Sequence, residues 1–511
     1  MKERNEKIFT HLFLFLVAFT GAMAVSFLTG TFGSGMTADS AVIVSLSRQI
    51  AAGKNLLGEG GIGMLYSPPV YPALLAVVKL FSGADPIISS GYINAVLFGL
   101  TIYLSGLMIL KYTSSIASSF IGAAWILISY ALLKMALVTL TETLFIFFTI
   151  LHLYFIEYYN RKRSPAAIVL LSVTIAFACL TRYIGIVLVF SGFAGIYPAL
   201  KNNWRKSLRH VAIFITFTLI LPGLWIVRNL LISDTLTGER APSSYSLIQN
   251  VVFYLKTVTF WFFNAGDFSY FLMAVILLLL FTVSVYFAVI KFRKNEPAKI
   301  FPVIVFIVVY SLLIIISSTF TAYDRISHRL LSPVYIPLIF LFLYTFIESA
   351  GRFSNKMFRI GLTILLFTLS FFTIKSQTIK STALIQDFEK KQGWGYSNFK
   401  WKQSETLQYL RKMNFPTEKF SFFSNDPYAI NLFTGYHSRR SPARKMYNSP
   451  KILRKAAELD KYFPKDRNII LVWFYDTGTL NYLFPPDSIL ANTDFREKIK
   501  CKDGIIYSAI K

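Results

Sequence analysis

Few side chains in this chain can do ionic chemistry, and those that stand out flank long apolar blocks. Asp39 stands in Gly35-Met-Thr-Ala-Asp-Ser, just after the first block. Glu142 opens the fourth in Val138-Thr-Leu-Thr-Glu-Thr-Leu-Phe, and Arg182 sits in Cys179-Leu-Thr-Arg-Tyr-Ile-Gly, with almost no loop between the two blocks it joins. Tyr323-Asp-Arg-Ile-Ser-His-Arg-Leu-Leu-Ser-Pro is the densest polar run beside a block, and on a helix Arg325, His328 and Arg329 would share a face. Ionisable groups at membrane depth are costly and need a partner or a purpose. Asp39 is expected either to cap the following helix or to face a cavity. Glu142 suits the first turn of a helix, where the dipole favours a carboxylate. Arg182, Arg329 and His328 suit the oxygens of a lipid phosphate, which a planar guanidinium meets with two donors. Tyr66-Ser-Pro-Pro-Val-Tyr-Pro forms either a rigid interfacial turn or one wall of a groove beside Asp39, with Tyr66 and Tyr71 as its rings.

The elements that position these residues follow from hydropathy. The 511 residues are 54% hydrophobic and 15% charged, which is too little charge to cover a soluble protein of this length. The apolar residues come in blocks of about eighteen or more, the length that crosses roughly 30 Å of hydrocarbon. The expected spans are 8–29, 87–110, 115–133, 142–159, 165–181, 183–199, 211–232, 269–290, 299–319, 330–348 and 357–374. The first is read as an uncleaved helix rather than a signal peptide. Residues 68–82 are too short and Pro-broken to span, and are expected to lie in the interface or re-enter. The fold class is thus an all-α bundle of about eleven spans, residues 1–374 with a first outer loop at 30–86, followed by a small soluble α/β domain at 375–511. In that tail Gln403–Lys412 is patterned as an amphipathic helix, and Phe420-Ser-Phe-Phe and Ile469-Ile-Leu-Val-Trp-Phe-Tyr as buried strands.

A net charge of +26 invites a nucleic-acid reading, but much of the excess lies in short loops next to spans. Loops carrying Lys2, Arg161-Lys-Arg163, Arg205, Lys206 and Lys291–Lys299 hold about twice the Lys and Arg of the opposite set, which makes them cytoplasmic. The N-terminus is then cytoplasmic, and the tail and all the candidate site residues lie outside a plasma (inner) membrane. Cys179 and Cys501 are far apart and offer no disulfide framework.

At these residues the pattern resembles the GT-C superfamily of polyprenyl-phosphate-sugar-dependent glycosyltransferases, in the group of protein O-mannosyltransferases and lipid A aminoarabinose transferases. The resembling pieces are Asp39 with its helix ending in Ala51-Ala-Gly-Lys-Asn, Tyr66-Ser-Pro-Pro-Val-Tyr-Pro, Thr141-Glu142, Leu180-Thr-Arg-Tyr-Ile-Gly, Arg228-Asn and Arg329-Leu-Leu-Ser-Pro. Ser424-Asn-Asp-Pro-Tyr-Ala and Leu432-Phe-Thr-Gly are similar to the outer domain of bacterial members. The resemblance runs over nearly the whole chain. It implies transfer of a sugar from a lipid phosphate to an acceptor hydroxyl of a lipid, glycan or protein, with Asp39 as the base. Arg182, Arg329 and His328 would then bind the donor phosphate, and Glu142, Tyr66 and Tyr71 would orient substrate. Members often show an acidic pair in the first loop. Asp39 stands without an adjacent acid, so a divalent cation is compatible with this chemistry but not required by it. The rival readings are a transporter or flippase of lipid-linked sugars, which would show repeats and mid-membrane polar residues, and a non-enzymatic glycan-binding scaffold.

Overall fold

The computed structural model describes residues 2–54, 65–200, 204–238, 240–262, 268–294, 299–413, 415–416, 418–445, 451–475, 477 and 481–509. Residues 55–64 of the segment after α2, including the end of the Ala51–Asn55 motif, lie outside them. The bundle consists of α1 (Lys2–Phe32), α2 (Ala38–Ala51), α3 (Val70–Ser82), α4 (Pro86–Thr113), α5 (Ile116–Leu127), α6 (Tyr130–Ala136), α7 (Glu142–Lys162), α8 (Pro165–Cys179), α9 (Val187–Leu200), α10 (Trp204–Ser233), α11 (Leu247–Phe262), α12 (Phe268–Arg293), α13 (Phe301–Phe320), α14 (His328–Arg352) and α15 (Lys356–Lys390). All eleven apolar blocks are helical. Among the described residues, however, only seven helices are long and apolar enough to cross a membrane, or eight if α5 and α6 form one span bent by 54°. The count of eleven is therefore not reproduced by length and composition. Helices α8 and α9, at 15 and 14 residues, are short.

Helix α1 packs along α4, and the approach is close: a Cβ on Gly99 would come within 2.9 Å of the Ala18 carbonyl oxygen. Helix α3 covers only 13 residues and ends in the 89% exposed Phe81, in keeping with an element too short to span. Helix α11 lies in the stretch expected to be an outer loop. It has polar Gln249 and Lys256 on one side and buried Asn250, Tyr254, Val258 and Trp261 on the other, so its mean hydropathy hides it. Helix α15 runs unbroken through 374 and 375 and carries the chain well past the last apolar block.

Beyond α15, helices α16 (Phe399–Lys402), α17 (Glu405–Met413), α18 (Pro427–Thr434) and α19 (Pro486–Leu490) pack with a five-stranded sheet. The strands are β1 (Phe420–Ser424), β2 (Ser438–Arg440), β3 (Asn468–Phe474), β4 (Arg496–Lys500) and β5 (Gly504–Ala509), in the order β2-β1-β3-β5-β4. Strand β1 runs parallel to β2 and β3, with Phe422 opposite Ile470, while β5 is antiparallel to β3 and β4. The apolar runs read as strands are the buried centre of the sheet, and α17 is the expected amphipathic helix.

This sheet domain and the bundle grip one short strap between them. Gly35 N–H donates to the Leu137 carbonyl (2.8 Å) and Thr139 N–H to that of Gly35 (2.9 Å). On the other side Met36 N–H donates to Trp394 (3.0 Å) and Tyr396 N–H to Met36 (2.9 Å). Gly395 is required at this contact, because its φ is +60° and a Cβ there would lie 1.8 Å from the Met36 oxygen. The strap fixes where α2 begins, and hence where Asp39 points.

Candidate active site

Helix α2 is capped by Thr37, not by Asp39. Ser40 N–H donates to Thr37 Oγ1 (3.3 Å) and Thr37 N–H to Ser40 Oγ (2.9 Å), a reciprocal capping box. Asp39 is thereby free of capping duty. It stands in the first turn with its side chain 56% exposed, on the wall of a cavity of about 780 Å³.

Three further charged residues expected from the sequence meet it there. Arg329, in the first turn of α14, donates from Nη2 to Asp39 Oδ2 (2.5 Å) and from Nε to Glu142 Oε1 (2.8 Å), with Nη1 3.6 Å from Asp324 Oδ2. Arg182, in extended backbone between α8 and a 3-10 turn at Tyr183–Ile186, bonds Glu142 Oε1 through Nη1, which also reaches Thr141 Oγ1 (3.3 Å). Glu142 is the first residue of α7 and its side chain is fully buried. A buried carboxylate is tolerated only with compensating charge, and two guanidiniums supply it. The result is a continuous chain, Asp39–Arg329–Glu142–Arg182, drawn from α2, α14, α7 and the α8–α9 junction. A separate charged layer lies at the C-terminal ends of α4, α12 and α14, with Lys299 donating to the Lys111 carbonyl (3.2 Å) and Lys291 to Glu348 (3.1 Å).

The two tyrosines part company. Tyr66, 60% exposed, lines the cavity, and the Arg240 guanidinium lies 5.3 Å from its ring and from that of Tyr323. Tyr71 is buried, donates to Asn94 Oδ1 (2.9 Å) and packs with Ile43, Leu75 and Leu144, so it holds α3 against α4 and does not touch the cavity. His328 also misses the cavity. Helix α14 begins only at His328, so Arg325, His328 and Arg329 do not share a helical face: Arg325 lies on the Phe253 ring (4.0 Å), and His328 turns away to accept from Trp261 Nε1 (3.0 Å) among Tyr130 and Phe260. That packing leaves no room for His328 as a ligand beside Arg329.

Three lining residues escaped the reading of the sequence. Arg240 comes from the α10–α11 connection, and among the described residues no carboxylate lies within 4.0 Å of it; its Nη2 donates to the Thr237 carbonyl (3.2 Å). Tyr183 donates to the Leu65 carbonyl (2.7 Å) and accepts from Trp225 and Asn229, which pins the segment leading into α3. Tyr428, from α18, brings the sheet domain to the cavity rim. Arg48 reinforces that junction through two 2.9 Å bonds to Asp85 and one of 3.2 Å to the Leu432 carbonyl. Burial of Asp85 would raise its carboxyl pKa, but the Arg48 bonds, the Ile87 N–H and the charges of Arg48 and Lys79 outweigh it and hold the group below its ordinary value. Among the described residues no group of three or more His, Cys, Asp and Glu side chains gathers as metal ligands.

Residues 60–233 match the family model of the dolichyl-phosphate-mannose-protein mannosyltransferases, a stretch that includes Glu142 and Arg182. No curated protein matches the chain significantly in sequence. Among solved structures the chain is similar to ArnT from Cupriavidus metallidurans. With the apo form the TM-score is 0.61 at 12% identity, over 96% of this chain and 97% of that one. With the form bound to undecaprenyl phosphate it is 0.60, at the same identity and coverage. The oligosaccharyltransferase of Archaeoglobus fulgidus, tethered to an acceptor peptide, matches with a TM-score of 0.54 at 11% identity, over 91% of this chain and 69% of that one. The resemblance to the GT-C superfamily thus stands on two legs: the chain is similar to the mannosyltransferase family over residues 60–233, and it has the GT-C fold over nearly its full length.

Proposed function

We propose that this protein is a membrane glycosyltransferase that moves a sugar from a polyprenyl-phosphate-linked donor to an acceptor hydroxyl at the outer face of the plasma membrane, with its N-terminus cytoplasmic and its sheet domain outside. The observation that carries this reading is the Asp39–Arg329–Glu142–Arg182 chain on the cavity wall. Asp39 engages Arg329 through Oδ2, and among the described residues Oδ1 has no partner, which leaves it open to a hydroxyl. In the reaction the acceptor oxygen attacks the anomeric carbon and gives its proton to Asp39. The bond from that carbon to the phosphate oxygen breaks, and its electron pair leaves with the polyprenyl phosphate. Arg182, Arg329 and Arg240 stabilise the charge growing on that phosphate. Glu142 holds the first two in register, and Tyr66 flanks the sugar. The lipid tail lies along α3, whose outer end is apolar and exposed.

The test is incubation of the full chain in nanodiscs with a panel of radiolabelled polyprenyl-phosphate sugars. Release of polyprenyl phosphate with covalent transfer of label supports the reading. Donor that crosses the bilayer intact, or stays bound and unconsumed, would sink it.

A further inference from the structure

The cavity that holds Asp39 takes its walls from two parts of the chain. Among the described residues, every charged side chain that lines it (Asp39, Arg182, Arg240, Asp324 and Arg329) comes from the bundle helices or the segments that join them. The sheet domain contributes one residue, the half-buried Tyr428 of α18. A phenol ring adds little for a phosphate that meets guanidiniums in the same cavity. This wall suits a neutral part of a substrate instead.

Tyr428 is held in place from several sides. Ser424 of β1 lies opposite Arg440 of β2 and Val472 of β3, so the three parallel strands reach their carboxyl ends at one edge. That edge is where open α/β sheets take ligands, and α18 rises from it directly after β1. Asn425 ties the edge together, donating to the Phe474 carbonyl (2.8 Å) and accepting from the Phe474 N–H (2.9 Å). Asp426 caps α18 by accepting from Ala429 N–H (3.3 Å), and its Oδ1 also accepts from the Tyr396 hydroxyl (2.7 Å). Tyr396 is in turn bonded to Met36, on the strap that starts α2. Arg48 of α2 reaches the Leu432 carbonyl in the second half of α18. Tyr428 and Asp39 are thus fixed to one frame. The Arg440 guanidinium lies over the Tyr428 ring, 5.1 Å from its centroid, and also bonds the Tyr482 hydroxyl.

We propose that the acceptor is a glycan, and that a neutral sugar ring of it stacks on Tyr428 while its hydroxyl reaches Asp39. A pyranose has an apolar C–H face that packs on an aromatic ring, and hydroxyls at its rim that take hydrogen bonds from a phenol or a guanidinium. A peptide acceptor fits less well. It would add to an open sheet edge, and the edge strand β2 is three residues long, with its Arg440 carbonyl accepting from the Tyr462 hydroxyl (3.0 Å). The inference rests on the transferase reading for the fate of the hydroxyl, and on Tyr428 and its supports for the class of acceptor. Stacking takes no part in bond exchange. The acceptor oxygen bonds to the anomeric carbon, its proton goes to Asp39, and the donor phosphate leaves with the electron pair.

The experiment reads binding by saturation-transfer NMR, so it does not depend on turnover. The full chain, in micelles of a detergent without a sugar head group, is titrated with neutral mannotriose, maltotriose and chitotriose, and with a neutral peptide of serine, threonine and alanine. Wild type is compared with Tyr428→Leu, Tyr428→Phe and Phe399→Leu, the last an exposed ring outside the cavity lining. Tyr428→Leu should weaken trisaccharide binding by about threefold to tenfold, the worth of one aromatic stack. Tyr428→Phe keeps the ring and most of the binding, and Phe399→Leu leaves it at the wild-type level. An unchanged thermal midpoint identifies a folded variant, and Tyr428→Met, which fills the space without a ring, serves if the leucine variant does not fold. A merely structural role for Tyr428 would move the midpoint and would not separate ring from non-ring variants in sugar affinity. Leucine or methionine variants that bind trisaccharide as wild type does, wild type that binds none, or binding of the peptide alone each overturn the inference, even where the donor is consumed. If instead trisaccharide binds through Tyr428 but no donor is consumed, the transferase reading fails and the glycan site stands.

Discussion

Asp39 and Glu142 are both carboxylates on Arg329, yet their environments assign them opposite sensitivities. Asp39 is more than half exposed, so its ion pair contributes at most about 1 kcal/mol to folding. Asp39→Asn keeps the side-chain shape and removes the proton acceptor, and general base catalysis is worth about 10²–10⁴-fold. Transfer should fall by that factor while thermal unfolding stays close to wild type. Glu142 is fully buried beneath two guanidiniums. Glu142→Gln leaves Arg182 without its carboxylate, at a cost of about 3–5 kcal/mol when burial is complete. The lower end applies, because Arg329 retains Asp39 and Asp324. This variant should lose stability and activity together. The assay is release of polyprenyl phosphate from a turned-over donor, paired with detergent-solubilised thermal unfolding of each variant. Asp39→Asn protein turning over within tenfold of wild type, or Glu142→Gln protein unfolding at the wild-type temperature, would refute the division of labour.

Three other substitutions and one kinetic pattern test the surrounding architecture. Arg240→Gln should raise the KM for donor by about tenfold, the worth of one charge-assisted hydrogen bond, with folding unchanged; an unaltered KM removes Arg240 from the phosphate site. Gly395→Ala should destabilise the strap by about 1–3 kcal/mol or more, because its φ is positive and a Cβ there strikes Met36, as seen in thermal unfolding. The depressed Asp85 carboxyl contributes stability that is fully present above its ordinary pKa of 3.8 and is lost as pH falls through its lower folded value. The difference in unfolding between wild type and Asp85→Asn should therefore shrink below about pH 4, and a gap that is constant with pH contradicts the ion pair. Donor should bind before acceptor, visible as polyprenyl phosphate inhibiting competitively against donor alone; a random-order pattern contradicts this.

The sequence made the charged half of the site legible because charge is expensive beside apolar blocks. Asp39, Glu142, Arg182 and Arg329 each announced themselves by position, and they converge. Direction within a helix was not legible. His328 and Arg329 are adjacent, and only the start of α14 at residue 328 decides which faces the cavity. Tyr71 looked like part of a substrate groove, but Asn94, a residue with no local signal, binds its hydroxyl. Arg240 and Tyr428 lie in segments without periodicity and reach the site only through tertiary packing. In the tail, the strands of highest apolar content were readable, while β2 and β4, short and rich in Arg and Lys, were not.

The resting hydrogen bonds bear on how such a site would work. Every nitrogen of the Arg329 guanidinium is engaged: Nε by Glu142, Nη2 by Asp39 and Nη1 by Asp324. Among the described residues Arg182 commits only Nη1, and Arg240 donates from Nη2 to a backbone carbonyl, so on the proposed reading these two carry the donors that an arriving phosphate would meet first. Contact with Arg329 then requires that the phosphate take the place of Asp39 or Asp324. Glu142 is the deeper ligand and stays. Exchange at Asp39 conserves charge in the cavity, since one anion replaces another on the same guanidinium, and it leaves the Asp39 carboxylate with both oxygens open. On the proposed reading the base is thus engaged until donor is bound, and the same arginine that releases it turns to the leaving group. This is why donor is expected to bind first, and why removing Asp39 should cost rate and little stability.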